Sequence, residues 1–109
     1  MRTLLHAILG SSLAGLAGLA AAQAEDMTGN AARGHRLALE ECAGCHAVEK
    51  GVRGGKLPDP PGFQRLAEDP AMTPLALRVF LTTPHADMPN LILTDPEIDD
   101  IVAWIHSLK

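Results

Sequence analysis

The chain contains two cysteines, Cys42 and Cys45, and His46 directly follows the second one. Two thiols about one helical turn apart can each add to one vinyl group of a haem and form two thioether bonds. The adjacent imidazole is then placed to bind the haem iron. This C-x-x-C-H spacing is typical of c-type haem attachment. It predicts one covalently attached haem c per chain, with Cys42 and Cys45 as the thioether residues and His46 as the proximal axial ligand.

Other roles of a C-x-x-C pair fit the sequence less well. A redox-active dithiol normally lies between a strand and a helix, and no strand is predicted near these cysteines. A zinc site would need two further ligands, but His35, His85 and His106 are scattered along the chain. A disulfide across so short a loop would add little stability. Haem attachment is therefore the best interpretation of the motif.

An electron carrier usually holds its iron with a second axial ligand, and a methionine opposite histidine raises the reduction potential. Met88 lies in an irregular segment that is stiffened by Pro84 and Pro89. We expect Met88 to be the distal axial ligand. The alternatives are His85, which would give a site of lower potential, and an open sixth position. Met72, in a predicted turn, is expected to pack beneath that turn.

The first 24 residues have the layout of a signal peptide. Arg2 gives a positively charged start, residues 4–19 are mainly apolar, and Ala22 and Ala24 have the spacing that a signal peptidase requires. We therefore expect cleavage after Ala24. An uncleaved membrane anchor is the alternative, because the apolar stretch is nearly long enough to span a bilayer.

The domain is then expected to comprise residues 25–109, with no stable membrane insertion after cleavage. Since bacteria attach c-type haem outside the cytoplasm, the predicted location is the periplasm. The chain has a formal net charge of −4 and no basic run, so nucleic acid is not an expected partner. Its 2 Phe, 1 Trp and absence of Tyr leave little aromatic material for a core. A domain this small often needs a cofactor to be stable.

The pattern of caps and breakers predicts helices separated by loops. The first helix is expected to begin after Asn30 and to end near Glu41. A short helix covers residues 63–67, and a third begins at Thr73 and ends before Pro84. Residues 49–62 are rich in Gly and Pro and are predicted to be irregular.

The last helix is the best defined, because Thr94 and Glu97 form a capping box. Its acidic first turns, which include Asp100, suit the positive end of the helix dipole. A stripe of apolar residues with helical spacing predicts its buried face. The stripe consists of Ile98, Ile101, Val102, Ile105 and Leu108.

These features, in this order, resemble the class I cytochrome c family. The matching parts are a helix that ends at the cysteines, a Pro-rich loop, the pair Met88-Pro89, and a closing helix with Ile101 and Trp104. The resemblance implies an all-α, small cytochrome c-like fold of three to five helices around one haem. It also implies that the first and last helices cross closely, with Gly34 as the small residue at the crossing.

The resemblance further implies that a proline carbonyl accepts a hydrogen bond from His46, with Pro58, Pro60 and Pro61 as candidates. An apolar wall around the haem is also expected, which limits solvent access. The side chains expected in this wall are Phe63, Leu66, Val79, Phe80, Leu91 and Leu93.

The function expected from the motif and the resemblance is one-electron transfer between redox protein partners, not enzymatic catalysis. Two alternatives use the same fold. The chain could be the electron-accepting subunit of a periplasmic dehydrogenase, or a haem-based sensor or small-ligand binder if the sixth position of the iron is open.

Overall fold

The computed structural model describes residues 28–54, 60–85 and 87–109. In these ranges the secondary structure consists of four helices, with no strand. They are α1 (Ala31–Glu41), α2 (Phe63–Glu68), α3 (Pro74–Thr82) and α4 (Asp95–His106). The predicted all-α fold class is confirmed, and α2 extends one residue beyond its predicted end. The predicted signal peptide, residues 1–24, lies outside the described residues.

The helices begin where the sequence places their capping residues. The side chain of Asn30 accepts a hydrogen bond from the backbone N–H of Arg33, and Thr73 caps α3 in the same way. At the start of α4, the backbone N–H of Thr94 donates to the carboxylate of Glu97 over 2.8 Å. These bonds satisfy amide groups that the first helical turn leaves without partners.

Helices α1 and α4 form the most extensive contact between elements. A β-carbon built at Gly34 would lie 1.8 Å from the carbonyl oxygen of Asp100, so the two backbones touch at this point. Next to the crossing, Ala38 and Ile101 are fully buried. The close crossing of the terminal helices and the place of Gly34 in it are therefore confirmed.

An ion pair also joins α1 to α4. The guanidinium of Arg33 donates to both carboxylate oxygens of Asp100, over 2.7 and 3.0 Å, and the backbone N–H of Asn30 donates to one of them. The bond from Arg33 is the main reason why the pKa of Asp100 is lower than usual. Asp100 is thus a buried, paired carboxylate, and its role goes beyond interaction with the helix dipole.

Trp104 packs against α1 and the chain that follows the cysteines. Its indole ring stacks on His35 with a centroid distance of 4.1 Å, and its N–H donates to the carbonyl of Val48 over 3.0 Å. The imidazole of His35 contacts the carboxylate of Glu49 at 2.9 Å. Trp104 therefore ties the last helix to the chain just beyond His46.

Helix α4 is the centre of the core. All five residues of its predicted apolar stripe are buried, and α4 contacts α2 and α3 in addition to α1. None of the helices in the described ranges is both long and apolar enough to cross a membrane.

Candidate functional site

The cysteine motif forms a tight turn at the end of α1. Cys42 is the C-terminal cap of α1, and its backbone N–H donates to the carbonyl of Ala38. The carbonyl of Cys42 accepts bonds from the N–H groups of Cys45, over 3.1 Å, and His46, over 2.9 Å. This turn brings both thiols and the imidazole to one end of the helix. Gly44 has open space around its α-carbon, so the turn does not require glycine there.

The imidazole of His46 is held by a backbone carbonyl. Its Nδ1 lies 2.7 Å from the carbonyl oxygen of Pro61. Among the three prolines that the sequence left open, Pro61 makes this contact, whereas Pro58 lies outside the described residues. Phe63 packs close to the same imidazole, with a centroid distance of 5.7 Å.

Two backbone hydrogen bonds fix the position of Pro61. The N–H of Phe63 donates to Ala47 over 2.8 Å, and the N–H of Gly62 donates to Arg53 over 3.2 Å. A β-carbon at Gly62 would lie 2.5 Å from the carbonyl oxygen of Arg53, so the close approach of the two chain segments needs glycine. The residues after the cysteine motif therefore pair with the start of α2 and present Pro61 to His46.

A cavity opens beside the motif, between α1, α2, α3 and α4. Its volume is about 280 Å³. This cavity is far larger than the space that one buried water molecule needs, so it has room for a bound group. Its lining is mainly apolar, and consists of Cys42, His46, Pro61, Phe63, Leu66, Met72, Leu77, Phe80, Leu81, His85, Met88 and Ile105.

The cavity brings together most of the side chains that the sequence singled out for chemistry. Cys42, His46 and Met88 all line it, as does His85. Cys45 is exposed and is not among the described lining residues. The cavity is therefore lined by one thiol, two imidazoles and the two thioethers of Met72 and Met88, within an otherwise apolar surface.

The segment that carries Met88 is organised by His85. The backbone N–H of Met88 donates to the carbonyl of His85 over 3.2 Å. The Nδ1 of His85 lies 2.9 Å from the carbonyl of Thr83, and its ring meets the edge of Phe80. These contacts attach the Met88 segment to the end of α3.

The prediction of the apolar wall around the haem is correct in part. Phe63, Leu66 and Phe80 line the cavity. Val79 is not among the residues that line the cavity, and half of its surface is exposed. Leu91 is also absent from the described lining.

Leu93, also predicted for the wall, packs against the buried core instead. Leu77, Leu81 and Ile105 also line the cavity but were not predicted for the wall, and Met72 was expected only beneath a turn. The spacing of Leu77 and Leu81 around Phe80 indicates one face of a helix, so two of these residues could have been found from the sequence.

The thiol of Cys42 does not have the properties of a reactive, catalytic thiol. Both cysteines are free. Burial, together with the charge of Glu41, raises the pKa of the Cys42 thiol to about 11, whereas a reactive dithiol needs a lowered pKa. No cluster of three or more potential metal-binding side chains occurs in the part of the chain that the structure describes. The described residues thus supply no further ligands for a zinc site at the cysteines.

Comparison with known proteins assigns the chain to a family. The family model described as "Cytochrome C oxidase, cbb3-type, subunit III" matches residues 29–105. The chain is also 34% identical over 91 residues to cytochrome c-552 of Bradyrhizobium diazoefficiens, an alignment that covers 84% of this chain and 86% of the relative. No solved structure matches the chain significantly. With its four helices and its C-x-x-C-H turn, the chain belongs to the class I c-type cytochromes and is an electron-transfer protein, not an enzyme.

Proposed function

We propose that the chain is a periplasmic carrier of single electrons, with one covalently attached haem c whose iron is bound by His46 and Met88. The observation that carries this proposal is the shared cavity, which His46, Met88 and Cys42 all line. The haem supplies reversible one-electron exchange at its iron. The residues of the chain hold it, orient its ligands and exclude water.

The contact with Pro61 supports His46 as the proximal ligand. A carbonyl oxygen can only accept a hydrogen bond, so Nδ1 of His46 carries the proton in the 2.7 Å contact. The lone pair of Nε2 is then free to bind a metal ion. Such a bond to the second nitrogen fixes the orientation of a ligating imidazole and increases its basicity.

The turn at the end of α1 supports covalent attachment. The carbonyl of Cys42 accepts bonds from both Cys45 and His46, so the two thiols and the imidazole are held together by one short backbone turn. Cys42 lies on the cavity, and Cys45 is at the exposed edge of the turn. This donor set fits a haem that is bound by two thioether bonds and one axial imidazole.

Met88 is the proposed distal ligand because its thioether lies on the same cavity as His46. Its backbone bond to His85 and the neighbouring Pro89 limit the motion of this segment. A thioether at the sixth position stabilises ferrous iron and raises the reduction potential. It also leaves no coordination position for an external ligand, which favours electron transfer over ligand sensing.

The apolar lining suits the same function. Leu77, Leu81 and Ile105 cover the cavity from α3 and α4. Such a shell restricts solvent access and thereby helps to set the reduction potential of the iron.

The proposed location follows from the sequence of residues 1–24, which we interpret as a cleaved signal peptide. We propose a free carrier. The related cytochrome c-552 is a protein of similar size, matched over 86% of its own length, whereas the matching family model is named for an oxidase subunit, so copurification decides between the two. Copurification of the chain with a larger redox enzyme in constant ratio would indicate a dedicated subunit instead.

Substitution of the two cavity methionines tests the ligand assignment. The mature Met88→Ala holoprotein is expected to lose the weak far-red absorption band of sulfur-to-iron ligation and to bind carbon monoxide when reduced. Met72→Ala is the matched control, because Met72 lines the same cavity, and it should keep both properties of the wild type. If Met72→Ala loses the band and Met88→Ala keeps it, the assignment of Met88 is wrong.

A further inference from the structure

We infer that Gln64 is a positioning residue for His46. It holds the chain segments that fix Pro61, and the carbonyl of Pro61 in turn orients the imidazole of His46. This inference rests on the proposed role of His46 as an axial ligand. Gln64 lies in the first turn of α2, three residues after Pro61, and its side chain is only 8% exposed. A buried amide side chain needs hydrogen-bond partners, because an unsatisfied polar group destabilises a protein interior.

The amide of Gln64 joins three separate parts of the chain. Its Oε1 accepts a bond from the backbone N–H of Gly51 over 3.0 Å. Its Nε2 donates to the backbone carbonyl of Leu108 and to the carboxylate of Glu68, each over 2.8 Å. One side chain therefore links the segment after the cysteine motif, the C-terminal end and α2.

The orientation of this amide is fixed by its partners. Gly51 offers a donor, whereas Leu108 and Glu68 offer acceptors. In a flipped amide, the NH2 group would face the N–H of Gly51, so that donors would meet a donor. The amide oxygen would face the oxygens of Leu108 and Glu68, so that an acceptor would meet two acceptors. Position 64 therefore requires glutamine, because leucine can make none of these bonds and glutamate lacks the two donated ones.

The link from Gln64 to His46 runs through residues 47–54, which we call the paired segment. Gly51, in its middle, has a positive φ of 82° and is bound by Gln64. On either side of it, Ala47 and Arg53 accept the bonds from Phe63 and Gly62. These are the two bonds that fix Pro61.

The guanidinium of Arg53 adds a second link between the paired segment and α2. It binds both carboxylate oxygens of Glu68, and Glu68 also accepts the bond from Gln64. Because Arg53 is largely exposed, water can replace its bonds. The bonds of the buried Gln64 cannot be replaced in this way, so Gln64 is the decisive link.

Loss of the Gln64 bonds should therefore release the paired segment locally. Pro61 would then be held less firmly against His46, and their hydrogen bond would open more often. The proton on Nδ1 of His46 would be exposed to solvent more often, and the imidazole would become a weaker electron donor to iron. The reduction potential would rise, because ferric iron depends more on a basic ligand.

The experiment compares the Gln64→Leu holoprotein with wild type by NMR in the reduced state. It measures solvent exchange of the His46 Nδ1 proton relative to the backbone amide of Ile101, which is fully buried at the helix crossing. We expect the ratio of these rates to rise about tenfold or more, together with a higher reduction potential. A general loss of stability would raise both rates and leave their ratio unchanged.

Arg33→Gln is the matched control, since it removes the ion pair with Asp100 and leaves the paired segment intact. It should leave the exchange ratio and the potential unchanged. If Gln64→Leu does not fold, Gln64→Glu provides the test, because it keeps an acceptor for Gly51 and loses both donors. An unchanged ratio in the Gln64 variant that folds overturns the inference.

Failure of the proposed function is recognised separately, in the wild-type protein. If wild-type His46 shows no resonances characteristic of an iron ligand, the axial assignment itself is wrong. If these resonances are present and the Gln64 variant still exchanges like wild type, only the positioning role of Gln64 is wrong.

Discussion

The α-carbon of Gly34 lies directly against the carbonyl of Asp100, so that a β-carbon at Gly34 would come within 1.8 Å of that oxygen. The obstructing atom is backbone, and it cannot move aside as a flexible side chain could. The contact therefore sets the distance between α1, which leads into the cysteine motif, and α4, which contributes Ile105 to the cavity.

Gly34→Ala should destabilise the holoprotein by about 2–3 kcal/mol, because the two helices would have to separate. Denaturant unfolding followed by far-ultraviolet circular dichroism measures this loss. Gly44→Ala is the control, since no atom lies within 4 Å of a β-carbon at Gly44, and it should change stability by less than about 0.5 kcal/mol. Equal stability of the two variants would contradict the close crossing.

Asp100→Asn should destabilise the protein by about 1–3 kcal/mol at pH 7, because Arg33 loses its charged partner. The pKa of Asp100 is lowered in the folded chain, mainly by the bond from Arg33. The charged carboxylate therefore contributes its full stability above the ordinary pKa of 3.8. That contribution is lost as the pH falls through the lower, folded-state pKa.

Urea unfolding of both proteins between about pH 4 and about pH 2 measures this effect. The stability advantage of the wild type over Asp100→Asn should shrink across this range. An advantage that stays constant down to pH 2 would show that the carboxylate of Asp100 is not stabilised by its charge.

His106→Leu should increase stability. Its Nε2 is buried and has no hydrogen-bond partner among the described residues, so removing it should stabilise the fold by up to about 1 kcal/mol at pH 7, offset in part by loss of the hydrogen bond between His106 and the backbone of Met72. The pKa of His106 is lowered, first by burial and then by the charge of Lys109, although a hydrogen bond with the backbone of Met72 acts in the opposite direction. The unfolded chain therefore takes up the proton first, and wild-type stability falls as the pH drops below the ordinary value of 6.5.

The gain from His106→Leu should accordingly be larger at pH 5 than at pH 7. Thermal unfolding of the wild type and of His106→Leu at the two pH values measures this gain. His35→Leu serves as a reference variant, because it removes a histidine that is partly exposed. An equal gain at both values would mean that His106 does not titrate in this range.

The mass of the mature protein tests processing and attachment together. The denatured wild type should have the mass of residues 25–109 plus one haem, because thioether bonds survive denaturation. The variant in which both Cys42 and Cys45 are replaced by Ala should have the mass of the polypeptide alone. A wild-type mass without haem would contradict covalent attachment, and a mass that includes residues 1–24 would contradict cleavage after Ala24.

Local signals in the sequence account for most of the helical framework. The N-caps Asn30 and Thr73, the capping box of Thr94 with Glu97, and the stripe through Ile101 all act within a few residues, where helix periodicity determines which side chains meet. The C-x-x-C-H motif is local as well. For this reason these features could be predicted without knowledge of the tertiary structure.

Contacts between distant segments could not be predicted in the same way. The amide of Gln64 reaches Leu108, 44 positions away in the sequence, and nothing in the spacing indicates this. Asp100 suits the helix dipole when α4 is considered alone, but its burial depends on where α1 crosses. The choice of Pro61 depends on the pairing of Gly62 with Arg53, which three neighbouring prolines in a sequence do not reveal.

A spectroelectrochemical titration of the mature holoprotein tests the central claim most directly. We expect a single one-electron wave and haem that is six-coordinate in both redox states. The oxidised state should show a far-red sulfur-to-iron band, and the reduced state should not bind carbon monoxide rapidly. A five-coordinate reduced state that binds carbon monoxide rapidly would contradict the electron-carrier account and favour ligand sensing. A protein without covalent haem would contradict the roles of Cys42, Cys45 and His46 altogether.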